Sequence, residues 1–232
     1  NETNAAMPLV LFTDAMKHVC RVTRVINNPS GHALLVGVGG MGKQSLSRLS
    51  AHICGYTTVQ IQISQAYTIN STPGLKEDLK AMYTKAGLKE EGISFLFTDS
   101  QIADEKFLVY LNDLLSSGEI PDLFAPDEKD NIINGVRGRA KAAGLPDTRD
   151  ACWTFFIQQV VCNLHMCLCF SPVGEDMARR ARRFPALINC TSIDWFQPWP
   201  QSALLSVAEK YLGEIEGGLG DTEIHESIVK FM

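Results

Sequence analysis

Gly37-Val-Gly-Gly-Met-Gly-Lys43-Gln44-Ser45 constrains this chain more than any other stretch. It meets the pattern G-x-x-x-x-G-K-[ST] from Gly37 through Lys43 and departs from it at Gln44, where Ser or Thr belongs. In that pattern the glycines let successive backbone N–H groups turn inward around a polyphosphate. The lysine reaches the outer phosphates, and the hydroxyl binds Mg²⁺. Gly37, Val38, Gly39, Gly40, Met41, Gly42, Lys43, Gln44 and Ser45 are therefore candidate contacts for ATP or ADP, with Gln44 at the magnesium position. The cradle and lysine are present but the hydroxyl is not, so binding is a firmer expectation than hydrolysis.

The flanks agree with the motif. His32–Val36 is a short apolar run of strand length, and Ser45–Ile53 places Leu46, Leu49 and Ile53 at helical spacing. Strand, glycine loop, helix is the required order, and the helix N-terminus adds positive dipole at the phosphates. The alternative is a glycine-rich turn beside a solvated lysine, which these flanks disfavour.

Strand candidates at 33–38, 57–63, 93–97, 166–170 and 187–193 alternate with helix candidates at 45–53, 75–86, 105–115, 129–143 and 148–163. Apolar strands separated by helices predict an α/β fold, a three-layer αβα sandwich around a parallel five-stranded sheet. After Trp199-Pro200 the pattern turns helical, with a glycine break at 217–220. The expected division is a large P-loop subdomain over 1–199 and the start of a small helical lid subdomain over 200–232. The chain ends inside a helical pattern and reads as a piece of something longer.

Composition narrows the class. A net charge of −5 argues against a nucleic-acid partner. No apolar run approaches the roughly 18 residues of a membrane span, so no membrane is expected. The seven cysteines, without C-x-x-C spacing, read as small core residues of a soluble intracellular domain rather than disulfides or a zinc site.

Three further positions bear on chemistry. P-loop ATPases end a second strand in an acidic pair, one carboxylate for the Mg²⁺ shell and one for the attacking water. Here the strand ends Phe97-Thr98-Asp99-Ser100, so one carboxylate is missing. Asp99 is either a degenerate member of that pair, with a place in the Mg²⁺ shell, or a helix cap. Ser171, before Pro172, is either a γ-phosphate sensor or part of a strand-ending turn. Arg179, Arg180, Arg182 and Arg183 form a basic cluster, read either as a solvated face or as arginines reaching a neighbouring subunit's nucleotide. Arg180 and Arg182 are the best placed for the second role.

With these residues in view, the chain resembles the dynein heavy chains, and within them a AAA+ module of the motor ring. The matching blocks are Leu9–Phe12 with the helix 14–25, Ala33–Ser45, Leu111–Phe124 with its Gly-Glu-Ile-Pro-Asp-Leu-Phe run, Asn163–His165, Phe170–Gly174, and Arg182–Cys190 continuing to Ile193–Phe196. Together they span nearly the whole chain and look most like the fourth module of an axonemal dynein. The resemblance implies an ATP-driven, minus-end microtubule motor of cilia and flagella, located in the cytoplasm, cytoskeleton and axoneme. Six modules would form the ring, with main hydrolysis in the first and a tuning role for the fourth.

The implied partners are the neighbouring modules of the same heavy chain, the microtubule through the stalk, and dynein intermediate and light chains. The adenine would lie between Leu9, Val10 and Leu11 and the helical subdomain starting near Pro200. The arginine cluster would face the preceding module's site. Gln44, Thr98 and Ser171 depart from the hydrolysing pattern. An alternative is a degenerate module, a structural ring element and interaction scaffold with no bound nucleotide. A stand-alone P-loop enzyme is disfavoured by the ending inside a helical pattern.

Overall fold

Ala33–Val36, strand β1, is four apolar residues in a row, all of them buried. A strand with no water-facing side belongs inside a parallel sheet covered by helices on both faces. The computed structural model describes residues 9–213, and β1 lies inside such a sheet. The strands run in the order β2-β3-β4-β1-β5, all parallel, where β2 is Thr57–Val59, β3 Ile93–Thr98, β4 Leu164–Phe170 and β5 Ser192–Trp195. Around it pack α1 (Thr13–Ile26), α2 (Lys43–Ile53), α3 (Leu75–Leu88), α4 (Phe107–Ser117), α5 (Pro126–Ala142) and α6 (Arg149–Asn163). Helices α7 (Asp176–Arg183) and α8 (Ala186–Asn189) precede β5, and α9 (Gln201–Gly213) follows it.

Alternation along the strands divides the core between the two faces. Ala33 and Leu35 of β1, with Leu96, Cys167 and Cys169, pack beneath α1 and α2 against Val19, Val22 and Leu46. Leu34 and Val36, with Phe95, Phe97 and Leu168, face Leu79, Leu111, Val136 and Phe156 of α3 to α6. The expected three-layer α/β architecture is what these residues build.

Two strands differ from expectation by more than two residues at an end. The second stops at Val59 rather than Ile63, because the carbonyl oxygen of Ile61 accepts from the Gln101 side chain instead of a neighbouring strand. The fifth begins at Ser192 rather than Leu187. Pro185 starts a helical turn, α8, whose buried Ala186 and Leu187 pack toward α4, where Asn112 Oδ1 accepts from Ala186 N at 3.1 Å. A short apolar run does not by its periodicity tell strand from helix.

The cysteines are all free, but Cys20 and Cys162 are exposed rather than core. Among the described residues no helix is long and apolar enough to cross a membrane. The expected glycine break at 217–220 and the helical pattern after it lie outside the described residues.

Candidate nucleotide site

The glycine loop spans the gap between the end of β1 at Val36 and the start of α2 at Lys43. Its root is held by backbone on both sides: Gly37 N donates to Phe170 O at 3.1 Å, and Phe196 N donates to Val36 O at 2.8 Å. Gly40 and Gly42 have φ of 80° and 78°, the left-handed region that glycine enters without a Cβ penalty. A Cβ on Gly39 or Gly40 would meet nothing within 4 Å. The open side of the loop therefore has room for a ligand against backbone, above the N-terminus of α2, whose first turn carries no acidic side chain.

Lys43 folds back over this loop, its Nζ donating to Gly37 O at 2.5 Å and Val38 O at 2.7 Å. Burial lowers its pKa from the ordinary lysine value, while the nearby Cys169 and Asp99 oppose that shift. Gln44 is exposed and Ser45 half-buried. Among the described residues neither side chain makes a hydrogen bond, so both remain available to a ligand.

Asp99 stands at the end of β3, and both its carboxylate oxygens are engaged. Oδ2 accepts from Ser171 N at 2.5 Å, and Oδ1 accepts from Arg180 Nη1 at 2.7 Å. The cap of the following 3-10 turn is Thr98 rather than Asp99: Thr98 N donates to Gln101 Oε1 at 2.8 Å. Gln101 Nε2 in turn donates to Ile61 O, tying the ends of β2 and β3 together. Ser171 uses its N–H on Asp99, and its Oγ accepts from Val173 N at 3.4 Å within its own loop.

The arginines of α7 separate into three situations. Arg179 and Arg183 both reach Glu105, at 3.0 and 2.5 Å. Arg180 is turned inward onto Asp99 of the same chain instead of projecting outward. Arg182 is exposed and, among the described residues, has no ion-pair partner.

A cavity of about 230 Å³ opens beside the loop, with Phe12, His18, Met41, Leu46, Phe196 and Trp199 among its lining residues. Phe12 meets Trp199 edge-on at 5.3 Å, and His18 stacks on Phe196 at 3.9 Å. His18 Nδ1 donates to Asp194 Oδ2 at 2.6 Å, and Arg21 Nη1 donates to Asp194 Oδ1 at 2.9 Å. Leu9, Val10 and Leu11 do not line this cavity; Phe12, next in the chain, does. Leu9 instead accepts a hydrogen bond from Lys210 of α9 through its carbonyl oxygen, at 3.0 Å. The sequence carried no local signal for His18 and Asp194, which lie 176 residues apart.

Comparison with known proteins agrees with this arrangement. The family of the P-loop containing dynein motor region D4 matches residues 7–232. The dynein alpha chain of the flagellar outer arm of Chlamydomonas reinhardtii is 59% identical over 232 residues, 100% of this chain and 5% of that protein. The ciliary dynein beta chain of Heliocidaris crassispina is 56% identical over the same length, again 5% of that protein. Dynein axonemal heavy chain 17 of Homo sapiens is 55% identical over 217 residues, 94% of this chain and 5% of that protein. The chain thus spans about 5% of the length of the curated relatives it matches. A glycine loop rooted between β4 and β5, a parallel five-stranded sheet and identity along the whole chain lead to one assignment: the chain belongs to the P-loop family of dynein motor region D4, a AAA+ module.

Proposed function

We propose that this chain is a nucleotide-binding AAA+ module of an axonemal dynein heavy chain, which holds ATP or ADP in the Gly37–Ser45 loop and turns it over weakly or not at all. The observation that carries this reading is the pairing of an open glycine cradle with an acidic group already spent on other partners. Gly39, Gly40 and the N-terminus of α2 fit a polyphosphate. The cavity lined by Phe12, Phe196 and Trp199 is the place for the base. The fit to a magnesium shell is poor: Gln44 has no hydroxyl, and both oxygens of Asp99 are occupied. No step through the metal follows from such a site.

In this reading the parent motor works on microtubules in cilia or flagella, where the names of the relatives place those proteins. Neighbouring modules of the same chain, the microtubule and the intermediate and light chains are its partners. Residues from about 200 onward begin the lid subdomain, and Arg182 is the arginine free to serve the preceding module. Titration with fluorescent ATP and ADP, alongside a phosphate-release assay, tests the proposal. Saturable binding with little release is expected. No saturable binding, unchanged by Lys43→Ala, would overturn it.

A second reading, a structural ring element without nucleotide, is favoured by one observation: the ammonium of Lys43 already has two partners in its own loop, the carbonyl oxygens of Gly37 and Val38. The same titration separates the two.

A further inference from the structure

We infer that Arg180 is a built-in cation of the phosphate site, so that nucleotide binding in this module does not depend on a divalent metal. The inference rests on the nucleotide-binding reading above and concerns how the phosphate charge is neutralised. Two protein groups ordinarily hold the metal in a P-loop site: the hydroxyl after the lysine, and a carboxylate at the end of a nearby strand. In this chain the first is the amide of Gln44, and the second is Asp99.

The guanidinium of Arg180 sits 2.7 Å from Asp99 Oδ1, and the N–H of Ser171 fills the other oxygen. A divalent ion approaching Asp99 would meet a positive charge already on that carboxylate. It would have to displace a charge-assisted hydrogen bond, which is stronger than a neutral one. Arg180 is not part of a solvated basic face. Its side chain is 13% exposed, its guanidinium carbon lies 5.9 Å from the centre of the Phe170 ring, and its neighbours Arg179 and Arg183 are both directed to Glu105. Its Nε is buried and, among the described residues, has no hydrogen-bond partner.

Asp99 is tied to the glycine loop through the end of β4: it accepts from Ser171 N, and the carbonyl oxygen of the preceding Phe170 accepts from Gly37 N at 3.1 Å. Lys43, Asp99 and Arg180 thus form one electrostatic group with two cations and one anion. The net positive charge is a fixed part of the protein, where a metal-dependent loop imports it with the nucleotide.

The test is calorimetric titration of ADP and of ATP into the 232-residue chain, once in MgCl₂ and once in EDTA. Affinities equal within about threefold (about 0.7 kcal/mol) in the two buffers are expected. A larger loss in EDTA overturns the inference while leaving the nucleotide-binding reading intact. Absence of saturable binding in both buffers overturns that reading and the inference with it. Arg180→Gln frees the carboxylate of Asp99 and should create a magnesium preference of about tenfold or more. Arg180→Lys keeps the charge and should keep the metal indifference. A purely structural role for Arg180 would lower both affinities together and leave their ratio unmoved, which also overturns the inference.

Discussion

Phe196 lies so close to Gly37 that a Cβ on the glycine would stand 2.8 Å from the Phe196 Cβ and 3.2 Å from its carbonyl oxygen. Neither atom is the flexible end of a side chain. Gly37→Ala therefore forces β1 and β5 apart and should cost about 1–3 kcal/mol, read from urea unfolding. Gly39→Ala meets open space, so stability should hold. Its methyl group enters the phosphate cradle instead, and nucleotide affinity should fall about tenfold. The two variants separate the loop's structural glycine from its ligand-facing one.

Lys43→Ala removes the only side-chain cation within the loop itself. Its two hydrogen bonds are to carbonyl oxygens of its own loop, one part-buried and one exposed, so the unfolding free energy should move by about 1 kcal/mol or less. Nucleotide affinity should fall about ten- to a hundredfold, measured by titration. Equal affinities for the two proteins would contradict the role given to the lysine.

His32 predicts a pH dependence of stability. Burial, followed by the neighbouring His165, lowers its pKa from 6.5 to about 4, and its Nδ1 accepts a hydrogen bond from Met166 N at 3.1 Å. The folded state holds the neutral ring, whereas the unfolded chain binds a proton near pH 6.5. This contribution is fully present above pH 6.5 and is lost as the pH falls from there to about 4, on the order of 3 kcal/mol in total. His32→Asn keeps an acceptor but does not titrate. Denaturant unfolding between pH 7 and pH 4.5 should show a flatter profile for that variant than for the native chain.

Gln101→Leu would leave Thr98 N and Ile61 O without their side-chain partner in a buried setting. A loss of about 1–3 kcal/mol is expected, with faster amide exchange at Thr98. Unchanged exchange at that amide would show that the tie between β2 and β3 is held by other groups.

The fold and the glycine loop were legible in the sequence because their signals are local. Four apolar residues, a run of glycines and a helical period lie next to one another between Ala33 and Ile53. The end of β2 was not legible, since it is set by a side chain forty residues away. The short run at Leu187-Ile188 suits a strand or a helical turn equally, and Pro185 decided it. The Arg180–Asp99 pair joins residues 81 apart. Sequence marked each as chemically interesting but gave no sign that they meet. The cavity residue Phe12 was one position from the segment expected to hold the base.

Gly37 and Val36 are bonded through the backbone to β4 on one side and to the residue after β5 on the other. A loop fastened this way at its root does not swing like a flap when something enters it. The sheet behaves as the chassis, and displacement has to be absorbed by parts joined to it more loosely. Helix α7 is held by side chains, Arg180 on Asp99 and Arg179 and Arg183 on Glu105, and the Pro198–Pro200 stretch edges the cavity with side chains. A change of occupant would be expected to register first as a shift of those two parts, while the sheet beneath them keeps its register.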